Sequence, residues 1–503
     1  MPYNTNNPVP SSDLRDFADN QQTLDEVVNS NSKEVTTRTG KKAKTLVGLQ
    51  ADVVAIEQSA SQSAQAAANS ASAAAQSAAD AANSAAATGY VDAPFPDVWA
   101  PLSDDLRLLA GIAPADTITV GGTSYPLPTK SMTFTRSTTA TYIDKSGVLK
   151  AAAVNEPRFE REGLLIEGQS TNYVLNSDDP TKWVSSSIFT KTILAADGST
   201  QTTTAKVVTT IAQATATLVS SGNISAAAGD SVTISCRMKG NYGLIRLAFS
   251  TDGTTSHVVF FDAITGLSTG AVTGVTVSSK LDFDGYCSVT ATITASAASV
   301  LTGSITVAKA AADSVIPIGS EYYMQMPQVE KNIIATSYIP TGAAAVTRSA
   351  DSLEIAPSGN VGYRLVGDTF SRALVFEISV NRFNPTVSYV DVLANWGAKN
   401  DIILRLTPNT VRSYRSSTGP TISNVPIPFN SKLYAQTINT SNSNEVTSYF
   451  DGQSNTTTSG GPVDASTAGT ALRFPGNSNA VFHIRNFRIW HRLLTPTQIR
   501  GLR

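Results

Sequence analysis

The chain has 503 residues, and 37 Lys and Arg against 39 Asp and Glu leave a formal net charge of −2. That length supports two or three domains with ordinary cores, while near-neutrality excludes the broad basic field expected of a nucleic-acid-binding protein. Only 15% of residues are charged, and the wealth of Thr, Ser, Ala and Gly suits extracellular β-sandwiches better than cytosolic metabolic enzymes.

Residues 1–45 read as a small head. Ser11-Ser12-Asp13 offers N-cap chemistry, and Leu14, Phe17, Leu24, Val27 and Val28 form an amphipathic helical stripe. Val35-Thr36-Thr37-Arg38-Thr39-Gly40 reads as a strand and turn. The head is either a small helical cap on a rod or a docking module for another protein.

Residues 46–88 carry a heptad repeat that loses its large side chains but keeps its phase. Leu46, Leu49, Val53 and Ile56 have the a/d spacing of a coiled-coil seam, and the a positions continue as Ala60, Ala67, Ala74 and Ala81. Ser63, Ser70, Ser77 and Ser84 take the d positions. Such a seam buries too little apolar surface to hold one helix alone, so identical helices are expected side by side with closely approaching backbones. A flexible Ala/Ser linker is the alternative. Small seam residues permit several oligomeric states; a homotrimer is the expectation here.

Residues 89–130 form a connector. Gly89 is expected to end the rod, with Pro94, Pro96 and Pro101 after it. Ser103-Asp104-Asp105 is expected to cap a short helix through Leu106, Leu108 and Leu109 that Gly111 ends. From Met132 onward the period becomes two, as in Val232/Ile234/Cys236/Met238 and Leu374/Phe376/Ile378/Val380. Asp197-Gly198, Asp252-Gly253, Asp284-Gly285 and Asp451-Gly452 supply turns. The pattern predicts two antiparallel β-sandwiches, residues 131–350 and 351–503, joined near Pro340-Thr341-Gly342. Thr495 and Pro496 open a last short helix. The fold class is therefore mainly β with an N-terminal α-helical coiled coil, an elongated homotrimer carrying two distal jelly-roll sandwiches.

The candidate chemistry is sparse. His483 and His491 lie eight apart with no cysteine nearby, which argues against zinc, and no metal or cofactor is expected. No nucleophile elbow, P-loop or dinucleotide fingerprint stands in a fitting context. Glycan cleavage needs two carboxyls about 5–9.5 Å apart. Glu160, Glu162 and Glu167, or Asp282 with Asp284, offer clusters, but at strand ends and turns solvated acids are the default. The chain is expected not to be an enzyme. Sugar binding instead needs aromatic faces bordered by amides and carboxylates. Trp183, Tyr242, Trp396 and Tyr414 are the candidate glycan-binding residues, while Tyr286 and Trp490 read as core. Cys236 and Cys287 are expected to be free, buried thiols.

Several segments resemble bacteriophage tail-fibre sequences. Asn6-Asn7-Pro8, Asp13-Leu14-Arg15-Asp16 and Leu24-Asp25-Glu26-Val27-Val28-Asn29-Ser30 are similar to N-terminal virion-attachment segments. Phe134-Thr135-Arg136-Ser137-Thr138-Thr139-Ala140-Thr141-Tyr142, Asn155-Glu156-Pro157-Arg158-Phe159 and Gly163-Leu164-Leu165-Ile166-Glu167 resemble a recurrent phage segment. Gly168-Gln169-Ser170-Thr171-Asn172 then introduces a carbohydrate-binding-module-like jelly roll. Its expected close is Ala335-Thr336-Ser337-Tyr338-Ile339-Pro340-Thr341 and Ala345-Val346-Thr347-Arg348-Ser349-Ala350-Asp351. Ser448-Tyr449-Phe450-Asp451-Gly452 and the stretch from Ile484 to Thr495 look like a laminin-G or concanavalin-A-like lectin ending.

The resemblance implies a tail fibre held to a tail or baseplate protein through residues 1–45 and adsorbing to a bacterial surface polysaccharide or lipopolysaccharide. The rivals are a glycan-degrading tailspike and a structural adaptor. Neither nucleic acid nor membrane insertion is expected. Met1-Pro2-Tyr3-Asn4-Thr5 carries no secretory signal, which fits a virion component made in host cytoplasm.

Overall fold

The computed structural model describes residues 5–87, 92–109, 117–120, 123–126, 132–183, 187–270, 272–355, 371–395, 401–414, 419–439, 445–458 and 472–502. The chain divides into two compact units, Met1–Val91 and Asp92–Arg503.

The first unit opens with helix α1, Leu14–Asn29, whose N-cap Asp13 accepts from the Arg15 N–H. The expected strand and turn are present as Glu34–Thr36 and Gly40 at φ +80°, and a second strand, Lys42–Lys44, completes a hairpin. Helix α2, Leu46–Ala87, runs unbroken for 42 residues, about 63 Å at 1.5 Å per residue. Its first turn is capped by the Thr45 hydroxyl, which accepts from the Gly48 N–H at 2.9 Å.

The head turns the usual amphipathic logic inside out. Asp16, on α1, is wholly buried, accepting from the hydroxyls of Ser11 (2.6 Å) and Thr5 (2.7 Å) and the Asn7 amide (3.1 Å). The Ser11 and Thr5 hydrogen bonds hold its carboxyl well below the usual range, and Arg38 lies 3.6 Å away. Meanwhile Leu14, Phe17, Leu24 and Val28 face outward. So do the large seam residues of α2: Leu46 is 53% exposed and Ile56 68%, with Leu49 and Val53 similar. Ala60, Ala67 and Ala74 are exposed too, and the Ala81 side chain lies outside the described residues.

Among its described residues the second unit is mainly β, with one turn of 3-10 helix and helix α3, Pro496–Gly501, whose capping box joins Thr495 and Gln498. Its strands make two sandwiches, and the sheets redraw the partition expected from sequence. One sheet of the outer sandwich runs, in order, through 453–458, 445–450, 429–439, 372–383, 480–490, 163–167 and 159–160. The facing sheet runs through 421–423, 410–414, 401–407, 390–395, 472–475, 352–355 and 132–135. The strands at 132–135 and 159–167, grouped by sequence with the preceding domain, thus belong with the C-terminal strands. Phe134, Leu164, Phe376, Phe474 and Phe482 share one core between the two sheets.

Between Glu167 and Asp351 a second sandwich is inserted. One sheet runs through 189–197, 202–209, 321–330, 231–240, 287–294 and 275–281; the other through 215–220, 299–308, 244–251 and 254–262. Ile234 and Met238 from the first sheet pack against Leu247 and Ile305 from the second. Cys236 and Cys287 are free and buried there, and burial pushes the Cys287 thiol up to about 11.

The connector reading fails at its expected helix. Val98–Ala100 is a strand paired to Ala480–Trp490, and Leu102 and Leu108 are drawn into the outer core. The Leu109 N–H donates to the Trp99 carbonyl at 2.6 Å, which leaves no helical turn at 105–109. Burial of the leucines outweighs the local capping signal. Gly89 and Gly111 lie outside the described residues.

The two sandwiches meet at a neck. Ser170–Asn172 pairs antiparallel with Val346–Arg348, Ser170 opposite Arg348. Just below it lies a buried ion network. Arg158 reaches Glu167 at 2.8 Å and Asp351 at 2.6 Å, and donates to the Thr141 carbonyl at 2.9 Å. Arg136 reaches Asp351 at 3.3 Å, and Arg348 reaches Glu167 at 3.5 Å. Glu167, expected among solvated acids, is instead fully buried, accepting from the Ser337 N–H at 2.8 Å and hydroxyl at 2.6 Å. Burial opposes its charge, but Arg348, Arg158 and the Ser337 hydrogen bonds outweigh that and hold its carboxyl well below the usual range. Burial pushes the neighbouring Glu330 carboxyl up.

Breaking the network from one side strands a buried charge, so Arg158→Met or Asp351→Asn is expected to cost about 3–5 kcal/mol, measured by denaturant unfolding. The depressed Glu167 carboxyl sets the sign with pH. Its contribution is complete above the unfolded-chain value of about 4.3 and is lost as pH falls through the folded one. Thermal melting should therefore lose the Glu167 contribution as pH falls below about 4, and Glu167→Gln should remove part of that acid limb.

Candidate functional site

Of the four predicted aromatic platforms, the side chains of Trp183 and Tyr242 lie among the described residues. Trp183 is 6% exposed, packed in the inserted core with its indole N–H donating to the Asn176 carbonyl at 2.8 Å. Its ring is large enough that burial outweighs display, so it offers no stacking face. Tyr242 is half-buried against the same core, its hydroxyl donating to the Asp313 carboxylate and lying 3.3 Å from the Val315 carbonyl. Tyr414 closes the strand Thr410–Tyr414 opposite Ile402, and its side chain lies outside the described residues. Trp396 also lies outside them.

A different constellation lies on the outer face of the inserted sandwich's larger sheet. Strand alternation sends Cys236 and Met238 inward, so Arg237 and Lys239 point out. Tyr323 stands opposite both Lys206 and Lys239 on its two neighbouring strands. The Lys239 ammonium lies 4.8 Å from the Tyr323 ring centre and 4.2 Å from that of Tyr286. Lys206 pairs with Glu321 at 2.9 Å, and the Tyr323 hydroxyl donates to the same carboxylate at 3.1 Å. Lys239, Asn241, Ile264, Gly285, Glu321 and Tyr323 border a recess of about 290 Å³. That is small for a pocket engulfing a molecule, and suits contact with part of a polymer.

The turn beside this recess is clamped from beneath. Arg237, almost fully buried, binds Asp282 at 2.9 Å, Asp284 at 2.6 Å and the Gln325 side-chain oxygen Oε1 at 2.6 Å. The Tyr286 ring lies 4.3 Å from its guanidinium carbon. Burial would lift the Asp284 carboxyl, but hydrogen bonds from Arg237 and the Ser199 N–H reverse this and hold it well below its usual range. The acid pair singled out for possible catalysis therefore serves as two anchors for one guanidinium.

Between those anchors stands Phe283, 93% exposed. Holding both sequence neighbours fixes a bare aromatic ring at the turn tip, next to the Gly285 that borders the recess. This residue escaped the sequence reading. The signal was a large apolar side chain between two aspartates immediately before the recognised Asp284-Gly285 turn. The site thus pairs aromatic faces with two ammonium groups, a carboxylate and an amide.

No family model matches this chain, and no curated protein does. Distant solved structures do. One, concerned with cell entry of botulinum neurotoxin type C through two ganglioside molecules, is 14% identical over 31% of this chain and 39% of that one, with a TM-score of 0.25. The N-terminal CBM22 tandem of Paenibacillus barcinonensis Xyn10C is 7% identical over 65% of this chain and 98% of that one, TM-score 0.21. Trypanosoma rangeli sialidase in complex with sialic acid is 12% identical over 72% and 64%, TM-score 0.23. The chain spans about two fifths of the length of the first structures it matches. At these values the likenesses bear on neither family nor activity.

Proposed function

We propose that this chain is a bacteriophage tail fibre, or short tail spike. In this reading it is a homotrimer that joins a tail or baseplate protein through residues 1–45 and adsorbs to a host-surface polysaccharide or lipopolysaccharide through its sandwiches. It is made in host cytoplasm and carried on the virion. The observation that carries the binding half is the clamped turn presenting Phe283 beside the Lys239–Tyr323 recess. A ring held in water without a partner gains by stacking on the apolar face of a sugar, and the adjoining amide, carboxylate and ammonium groups match its hydroxyls.

Support for the fibre architecture comes from the outward a/d residues of α2, whose heptad phase suits packing against copies of itself. The exposed stripe of α1 adds to that support. Three copies per fibre raise the effective concentration of weak sites, so adsorption rests on avidity. The reading is of binding without cleavage. Among the described residues no helix is long and apolar enough to cross a membrane.

Two outcomes are expected. On a column of host polysaccharide, Phe283→Ala and Tyr323→Ala should each weaken retention about fivefold to tenfold, some 1–1.4 kcal/mol of stacking, while reducing ends stay constant with the wild-type protein. Unaltered retention by both variants removes the site, and sustained shortening of the polymer makes the chain a depolymerase. Light scattering of the full chain should give three times the chain mass, and Ala67→Asp with Ala74→Asp should lower it by charging the seam. A monomer at micromolar concentration ends the fibre reading.

A further inference from the structure

We infer that Glu160, Glu162 and His483 form a binding site for a divalent transition-metal cation of the zinc type. The three residues offer ligand atoms that all lie within 4.8 Å of one another. They converge because the hairpin of Phe159–Glu160 and Gly163–Glu167 lies against Ala480–Trp490, with Leu165 opposite His483. An ion with bonds of about 2 Å to tetrahedral ligands spaces those atoms about 3.3 Å apart, so small side-chain adjustments suffice.

The surroundings prepare the ligands. The His483 ring is almost fully buried, and its Nδ1 lies 2.7 Å from the Asn381 side-chain oxygen. With the proton on Nδ1 donated to that oxygen, the Nε2 lone pair faces Glu160 Oε2 at 2.8 Å. Two acceptors at that distance require something positive between them, a proton on Nε2 or a metal ion. The other Glu160 oxygen accepts from the Ile143 N–H at 2.8 Å, which aims Oε2 at the imidazole. Such outer contacts are what orients metal ligands. Glu162 has no hydrogen bond or ion pair among the described residues, and neither glutamate is paired there with Lys or Arg.

The donor set selects the metal class. One imidazole nitrogen with two carboxylates suits Zn²⁺ and its neighbours, whereas Ca²⁺ and Mg²⁺ prefer oxygen alone. Three protein ligands leave a position for water. The ion would fasten the strand Gly163–Glu167 to Ala480–Trp490 immediately before the chain enters the neck.

The test uses the full chain without a histidine tag, stripped with chelator and titrated with ZnCl₂ by calorimetry and with CoCl₂ by visible absorption. Expected are one Zn²⁺ per chain, a d–d band with Co²⁺, a melting temperature raised by Zn²⁺ and restored by chelator, and no heat with CaCl₂. Glu162→Gln touches nothing else and should keep the fold while weakening Zn²⁺ at least tenfold; His483→Asn should abolish the Co²⁺ band. Absence of Zn²⁺ binding at 100 µM (about a hundredfold over the chain) overturns the inference. So does binding unchanged in Glu162→Gln, which would place the ion elsewhere on the chain.

Discussion

Two carboxylates, Glu167 and Asp351, are buried where the sandwiches meet, and much of the second unit is arranged around pairing them. Unpaired, either would cost far more than a domain can spare. Arg158 spans both at 2.8 and 2.6 Å, Arg136 and Arg348 flank it, and the Glu167 N–H donates to Asp351 at 2.9 Å. The backbone is shaped to match. At Gly476 a Cβ would sit 2.0 Å from the Glu167 carbonyl oxygen, and at Gly168 2.2 Å from the Ser478 nitrogen. The network is complete only when residues 136–167 and 337–351 are together, so it specifies how the insertion closes as well as holding it.

The same device recurs in the inserted sandwich. Arg237 is placed under a turn, between two aspartates, so that the turn cannot wander. In the head, Asp16 gathers Thr5, Asn7 and Ser11 while the leucines face out. In all three places geometry is set by a buried charge with directional partners, and apolar surface is either packed in a sheet core or left for another molecule.

Much of this was legible in the sequence and some of it was not, for separable reasons. Period-two alternation marked the strands because one face of each is buried, and Thr495-Pro496 marked the last helix because capping is local. The heptads marked α2 along its described length. Strand partnership was not legible: nothing local to Met132–Thr135 says that it pairs with Ser352–Ile355 rather than with the next strands in the chain. Glu167 looked like any acid at a strand end, since its partners lie at positions 158, 337 and 348. Yet the segments that resemble phage fibres supply Arg136, Arg158, Glu167, Ser337, Arg348 and Asp351, the members of that network. Trp183 was misjudged because proximity to a loop does not amount to exposure. Phe283 was passed over because the local signal of its turn lies in the aspartate and glycine alone. His483 was weighed only against histidines near it in sequence, while Asn381 and the glutamates meet it across the sheet.

The neck has a consequence for how such chains change. Ser170 and Arg348 enter and leave side by side as one antiparallel rung, so the 177 positions between them occupy the place of a hairpin loop in the outer sandwich. The closing set of charges lies on the outer-sandwich side of that rung. Recombination that exchanges what is distal to it but keeps the Ser337 donors to Glu167 leaves the outer core and its ion pairs in place, and any replacement whose ends emerge one strand spacing apart, about 5 Å, fits the same socket. Whatever the inserted sandwich carries can thus turn over as a cassette while the scaffold that presents it is inherited whole.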